Sequence, residues 1–590
     1  MLNMKVDYLI SIENPKSHYV KVKMSFDRIN GIAGQSGNRL IQVFLPSWSP
    51  GSYLMREYAR HLRNFKVVSE SGARLFYSQI DKGAFEIDQD KVIEGKATAQ
   101  KIEVSYEVYC HELTVRTAHV DVSHAFLHLP ALLMGIEGVK IQHPQVEVRF
   151  PPLWSKVATG LKDVSPSRER FVYTAPDYDQ LIDCPIEIGC HESDGFRVQG
   201  IDHEVAFYGA SLPHNWNLKA DMQKIVETIS TSMGEIPYSK YLFITHFFSS
   251  AYGGLEHANS TVLHFDGSKL LERKSYLKWL SLVSHEYFHT WNIKRIRPRE
   301  LGPFDYRNEN YTRMLWLAEG LTSFMDELYV LRSGLCNLEE YLDMQKGNLK
   351  NYFNIPGRRY HSLEDSSFNA WIKLYRPDEN SSNSTISYYL KGGIVFFILH
   401  SLLQEQARGI DDLLKLLWQS YKKRPQQGVE AQEVFAMVEE LGGKSVRERF
   451  ELMVVTTEEL AIDKAFESLG LKINYEVPSG AYLGLKPRFE SDRVFIASVV
   501  LDGPAFQAGL NAGDEILGID GIRILKSEFD DLGKNISPQK SYNFQIARMG
   551  HLQQVELVAA ACPREIKEIA ILDKKRALQS LGADERAGQK

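Results

Sequence analysis

The chain of 590 residues holds only five cysteines, Cys110, Cys184, Cys190, Cys336 and Cys562. So sparse and odd a set, with no CxxC spacing, argues against a disulfide framework, a zinc knuckle or a dithiol redox pair, and suits a reducing compartment. Only Cys184 and Cys190 stand close enough in sequence to suggest a bridge. Basic clusters are missing too: at a net charge of −6 the chain offers no stripe for nucleic acid or an acidic membrane. No run of 18 apolar residues is present to span a bilayer. The opening "MLNMKVDYLISIENP" has neither the basic start nor the cleavage site of a secretory leader. A cytoplasmic protein without nucleic-acid or membrane partners is the expectation. Repeats and low-complexity segments are also lacking, and 44% hydrophobic with 24% charged residues is ordinary for a globular chain of several domains.

Against this plain background one stretch stands out, "LVSHEYFHTW" at 282–291. Its surroundings from Ser275 to Asn292 are apolar on almost every face, as in a buried helix. The polar remainder, Ser281, His285, His289 and Asn292, falls at i, i+4, i+8 and i+11 and forms one stripe. Positions four apart differ by only about 40° around a helix, so both imidazoles project the same way, one turn apart. Two buried histidines without partners would bear the cost of desolvating two polar rings, which favours a shared metal over a purely structural pair.

Zinc in a catalytic site takes three protein ligands and keeps one position open for water. A third ligand is offered by "RMLWLAEGLTSFMDELYVL", 313–331, another helix apolar nearly all round, with Glu319, Thr322 and Asp326 at i, i+3 and i+7 on one face. Glu319 is the candidate, and Thr322 or Asp326 could steady a ligand from behind. Glu286, next to His285 and one step off the stripe, is the candidate general base. The basic run "NIKRIRPRE" that follows reads as a solvated exit from the helix.

Period-two alternation marks strands in the first portion: "YVKVKMSF" (19–26), "KIEVSYEVY" (101–109) and "QVEVRF" (145–150). A β-sandwich over 1–165 is expected. Residues 166–465 read as an α+β catalytic domain, with strands "EVAFYGA", "YLFITHFFS" and "TVLHFD" followed by helices, and "YGGLEH" as a loop between the last two strands. A third pattern occupies 466–562, and 563–590 reads as a charged, frayed tail.

Together, "HEYFHTWN" and "WLAEGLTSF" resemble the glycyl aminopeptidase family of zinc metallopeptidases. The segments "SWSPGSYLMREYARHL" (47–62), "YGGLEHANST" (252–261) and "SYYLKGG" (387–393) resemble it as well. The resemblance implies a multidomain α+β architecture: an amino-terminal β-sandwich, a thermolysin-like catalytic domain with a helical carboxy-terminal part, and a PDZ domain. It implies one zinc per chain on His285, His289 and Glu319. It gives Glu256 of "GGLEH" the task of receiving the substrate's free α-amino group, with Gly253 and Gly254 letting the backbone approach closely. His257 departs from the asparagine of the broader aminopeptidase pattern. Tyr389 is assigned to the oxyanion; the alternative is an aromatic capping "IVFFILHSLL". The stretch "VVLDGPAFQAGLNAGDEILGIDGIRI" (499–524) resembles a PDZ domain, whose carboxylate-binding loop would be Leu483, Gly484 and Leu485.

The function implied is removal of amino-terminal residues, glycine and alanine above others, from peptides with a free amino terminus, with peptide C-termini as further partners at the PDZ domain. Two alternatives stay open on the sequence: a zinc endopeptidase holding substrates through its PDZ domain, and a non-catalytic peptide-binding scaffold.

Overall fold

The structure is a computed structural model that describes residues 2–28, 40–95, 100–167, 169–209 and 216–584. It divides into two compact units: Met1–Tyr311 with Trp418–Val429, and Thr312–Leu417 with Glu430–Lys590.

The first unit begins with an eleven-stranded sheet. From one edge it runs Gly135–Ile136, Leu40–Phe44, Ala84–Glu94, Arg74–Gln79, Leu62–Ser69, Lys101–Tyr109, Tyr19–Asp27, Val6–Ser11, Gln145–Arg149, Phe171–Thr174 and Lys162–Asp163. The alternation seen in sequence is what builds it: along Tyr19–Asp27 the buried residues are Val20, Val22, Met24 and Phe26, while Lys21 and Lys23 face out. A second sheet orders Lys156–Thr159, Ile186–Gly189, Ala125–Leu127 and His119–Val120. Val120, Ala125, Leu127, Ile186 and Ile188 share one core with the first sheet. The β-rich portion therefore does not stop at residue 165: Phe171–Thr174 pairs with Gln145–Arg149, and Ile186–Gly189 with Ala125–Leu127.

Next comes a five-stranded sheet ordered Glu192–Val198, Ile201–Gly209, Lys240–Phe247, Ser260–Phe265 and Tyr252–Glu256. Its central neighbours are parallel, and the helix Leu218–Met233 makes the crossover between the first parallel pair. Here the expectation of a loop at "YGGLEH" is corrected. Tyr252–Glu256 is an edge strand, antiparallel to Ser260–Phe265, with Gly253 opposite His264 and Glu256 opposite Thr261. The helix Arg273–Phe288 follows, with Tyr276, Leu277, Trp279, Leu280, Val283, Tyr287 and Phe288 buried.

Phe126 and Ala158 of the four-stranded sheet pack with Leu242, Ile244, Leu255 and Val262 of the five-stranded one. Beside that core lies a buried polar chain. The His124 Nδ1–H donates to Glu187 Oε1 at 2.8 Å, the His246 Nε2–H donates to Glu187 Oε2 at 2.9 Å, and His264 Nε2 lies 2.9 Å from His246 Nδ1. Burial works to raise the Glu187 carboxyl, but the His246 and His124 imidazoles outweigh it and hold it at about 2. Burial, then His246 and Arg116, push His264 down to about 2. Both folded values lie below the ordinary 4.5 and 6.5, so the unfolded chain binds more protons throughout the acid range. The stability these groups confer is complete above pH 6.5 and is lost as the pH falls, first through His264 and below 4.5 through Glu187 as well. Thermal unfolding followed from about pH 7 to about pH 4 is expected to show that loss. His264→Asn, which keeps hydrogen-bonding capacity but does not titrate, should remove about 1.4 kcal/mol per pH unit of slope below about pH 6.5.

In the second unit the chain passes through a π-helical turn, Trp316–Gly320, into the helix Leu321–Arg332. Helices Leu338–Phe353, Tyr388–Gln404, Ala431–Val455 and Ile462–Ser468 follow. A capping box of Asn337 and Glu340 starts the first of these. By length and composition alone Ser381–Gln404 could cross a membrane, but 78% of its apolar 18-residue window is buried within the protein, as in a core helix. The last β-sheet orders Leu485–Glu490, Arg493–Val499, Glu515–Ile519, Ser541–Arg548 and His551–Val558, with the helix Lys526–Asn535.

As far as residue 584 the tail does not fray as expected from its charge, and residues 585–590 of that expectation lie outside the described residues. Glu565–Ile571 pairs with Leu471–Glu476, and the helix Lys574–Leu581 buries Ala577, Leu578 and Leu581. Arg332 Nε and His400 Nε2 donate to the carbonyls of Leu581 and Ser580 at 2.8 and 2.9 Å. The lysines and acids of the tail cover one face while a narrow apolar face packs inward. All five cysteines are free thiols, Cys184 buried and Cys190 exposed.

Candidate active site

The helix Arg273–Phe288 ends at the motif itself, with His289 as its C-cap. The His285 and His289 rings lie 4.6 Å apart between centroids and at 88° to one another. His289 Nδ1 sits 2.8 Å from the carbonyl of Asn292. A carbonyl only accepts, so Nδ1 carries the proton and Nε2 keeps its lone pair, the tautomer a metal ligand needs. Asn292, the last residue of the polar stripe, thus acts through its backbone.

Glu256, Glu286 and His289 are 4%, 5% and 1% exposed, and one ligating atom of each lies within 4.8 Å of the others. Glu256 arrives from the end of the edge strand and Glu286 from the helix. Two carboxylates so close in a buried place repel unless positive charge is supplied between or beside them. A divalent cation or an ammonium group can supply that charge.

The glycines of the edge strand have separate tasks. A Cβ on Gly254 would stand 1.9 Å from Glu286 Oε1, so the bare backbone makes room for the Glu286 carboxylate. At Gly253 a Cβ would meet only Arg116 Nη1, at 3.8 Å. Arg116 Nη2 donates to the Gly254 carbonyl at 2.9 Å and ties the edge strand to the β-rich portion. His257 turns to Asp183, with Nδ1 3.3 Å from Oδ1. Lys294 Nζ and the Ala258 amide donate to the same carboxylate at 2.6 and 2.8 Å. Burial would raise Asp183, but Lys294 and His257 hold it well below the usual carboxylate range. His257, Asp183 and Lys294 line a cavity of about 170 Å³ with His128, Ser49 and Pro50. Sequence reading missed Asp183 and Arg116 because their partners lie 74 to 138 positions away.

In the second unit, Glu319 is 1% exposed within the π-helical turn, a local widening that often marks functional positions. A Cβ on Gly320 would stand 2.7 Å from the Cα of Gly392, so two helices cross there backbone to backbone. Thr322 Oγ1 donates to the Ala318 carbonyl at 2.7 Å and thereby braces the turn that carries Glu319. Ser387 caps the helix Tyr388–Gln404, accepting from the Tyr389 amide at 3.2 Å. Tyr388 is fully buried, whereas Tyr389 is half-buried and stacks on it at 4.9 Å. Of the two, Tyr389, the residue chosen from sequence, is the more accessible. Before the last β-sheet, Gly484 has φ +71° and lies against Pro504, which a Cβ would approach to 2.9 Å. The Leu483 and Gly484 carbonyls accept from Ala505 and Val500 at 2.8 Å, so the loop is fixed from its carbonyl side before the strand that starts at Leu485.

Residues 278–395 match the family model of the M61 glycyl aminopeptidase, residues 7–190 that of the peptidase M61 N-terminal domain, and residues 481–558 that of a PDZ domain. The crystal structure of an aminopeptidase N family protein from Idiomarina loihiensis is similar over 98% of this chain and 100% of that one, with 26% identity and a TM-score of 0.90. An M1 zinc metallopeptidase from Deinococcus radiodurans is similar over 78% of this chain and 95% of that one, at 12% identity and a TM-score of 0.49. A probable periplasmic serine endoprotease, DegP-like, from Pseudomonas fluorescens is 32% identical over 109 residues, 18% of this chain and 19% of that protein's length. The two M61 matches together take in just over half of the chain. The chain belongs to the M61 glycyl aminopeptidase family, as a peptidase that carries the family's N-terminal and catalytic domains and, after them, a PDZ domain.

Proposed function

We propose that the protein is a zinc aminopeptidase that removes amino-terminal glycine, and alanine less readily, from peptides. The observation that carries this reading is the convergence of Glu256 and Glu286 with His289 within 4.8 Å: one carboxylate for a proton in transit, another for a substrate's charged amino terminus. The family's description as glycyl aminopeptidases supports the preference for glycine.

His285, His289 and Glu319 would hold the metal, one zinc per chain. Two neutral imidazoles and a carboxylate are a zinc donor set, and the His289 tautomer fixed by the Asn292 carbonyl fits it. When bound, zinc supplies a Lewis acid for the scissile carbonyl and makes a water nucleophilic near neutral pH. Glu286 takes the proton of the attacking water and passes it to the leaving amine. Tyr389 donates its phenolic proton to the developing oxyanion. Glu256 accepts hydrogen bonds from the substrate ammonium and so sets cleavage one residue from the amino terminus. Peptide C-termini are the proposed ligands of the Leu483–Leu485 loop, and the free thiols support a reducing, cytoplasmic setting.

Metal analysis tests the foundation. The purified protein is expected to bind one zinc per chain, and His289→Ala to lose it while retaining the far-ultraviolet spectrum of the wild type. A wild-type protein that gains no zinc on titration would overturn the assignment.

A further inference from the structure

The segment "SWSPGS" lies far in sequence from the metal motif, yet its turn reaches the site. That turn, Ser49 to Ser52, is closed by a bridge between those two residues, with the Ser52 amide 3.1 Å from the Ser49 carbonyl. Pro50 and a Gly51 of φ +84° supply the two conformations that a type II turn requires. The turn is anchored on both sides. Trp48, fully buried, donates from Nε1 to the Asp305 carbonyl at 2.8 Å, and Arg56 Nη2 donates to Ser52 Oγ at 3.1 Å. The Ser47 amide bonds the Tyr306 carbonyl at 2.8 Å.

The tip of this fixed turn presses on Glu256. A Cβ built on Gly51 would stand 2.6 Å from each Glu256 carboxylate oxygen and 2.7 Å from Leu255 Cδ1. Both oxygens therefore meet bare backbone on that side, and the pocket around the carboxylate has a wall that cannot recede. We infer that Gly51 is a positioning residue, whose backbone holds the Glu256 carboxylate in register with Glu286 and His289 to receive the substrate ammonium. The inference rests on the role given to Glu256 under the proposed function. The turn belongs to the β-rich amino-terminal portion, which thereby becomes part of the substrate site rather than a support for it.

Gly51→Ala is the direct test, and Gly72→Ala is its control. Gly72 has φ +79°, and a Cβ added there would meet no heavy atom within 4 Å, so it carries a similar backbone penalty without the collision. In the zinc-loaded full-length protein, Gly51→Ala should lower kcat/KM on a free-amino glycyl peptide at least about 30-fold, mainly through KM, at unchanged zinc content. Gly72→Ala should stay within about twofold of wild type. In a Glu256→Ala background the further Gly51→Ala change should cost several-fold less than in the wild type, because the carboxylate it displaces is gone and only the contact with Leu255 Cδ1 remains. The melting temperature of that double variant should recover part of the way toward that of Glu256→Ala, since the collisions with both carboxylate oxygens are relieved and that with Leu255 Cδ1 is not, which keeps the test open even if Gly51→Ala alone folds poorly. A wild-type rate in Gly51→Ala would overturn the inference, as would an equal loss with and without Glu256 or a double variant as unstable as Gly51→Ala. If Glu256→Ala itself leaves the rate unchanged, the reading of Glu256 falls and the inference falls with it; failure of Gly51→Ala alone leaves Glu256 in place.

Discussion

Glu286→Gln is expected to lower kcat by about 10³-fold on a free-amino glycyl peptide, a loss of roughly 4 kcal/mol at about 1.36 kcal/mol per decade. The amide has nearly the shape of the carboxylate, so the tight contact with Gly254 survives and the edge strand stays in place. Glutamine cannot take a proton from water, however, and the step that generates the nucleophile fails. Zinc content and melting temperature stay at wild-type values, because the proposed ligands are His285, His289 and Glu319. Steady-state kinetics beside metal analysis checks this. A variant that kept a tenth of the wild-type kcat would mean that another group is the base.

Glu256→Ala separates exopeptidase from endopeptidase chemistry. Glu256 is 4% exposed, and removing one partner of a buried charge pair costs roughly 3–5 kcal/mol. The expected fall in kcat/KM on free-amino peptides is at least about a hundredfold, roughly 2.7 kcal/mol. Residual activity on acetylated peptides should hardly change, since the carboxylate has no charge to meet there. Nearly wild-type cleavage of free-amino peptides by this variant would favour the endopeptidase reading.

What could be read from the sequence was what repeats at short range. Alternation over 19–26 and 101–109 announced two strands that pair residue by residue, Val20 with Val108 and Phe26 with Ile102. The four-residue spacing of His285 and His289 announced a shared direction, and the rings do lie 4.6 Å apart. The edge strand Tyr252–Glu256 was hidden because two of its five residues are glycines, poor strand formers when judged alone. Its pairing with Ser260–Phe265 and the grip of Arg116, 138 positions away, hold it extended. Gly254 was singled out for a close approach of the backbone to substrate, whereas the space it leaves is taken by Glu286. The π-helical turn at Glu319 goes with the meeting of Gly320 and Gly392, a contact between distant positions that no local pattern encodes. The His124, Glu187 and His246 cluster escaped notice for the same reason, and the tail was misjudged because charge outweighed Ala577, Leu578 and Leu581, the apolar residues that anchor it.

The measurement that bears most directly on the account is kcat/KM for one glycyl peptide and its amino-terminally acetylated twin, taken side by side on the zinc-loaded enzyme. With Glu256 receiving a charged amino terminus beside Glu286, the acetylated peptide should be cleaved at least about a hundredfold less efficiently. Equal efficiency on the two would contradict it.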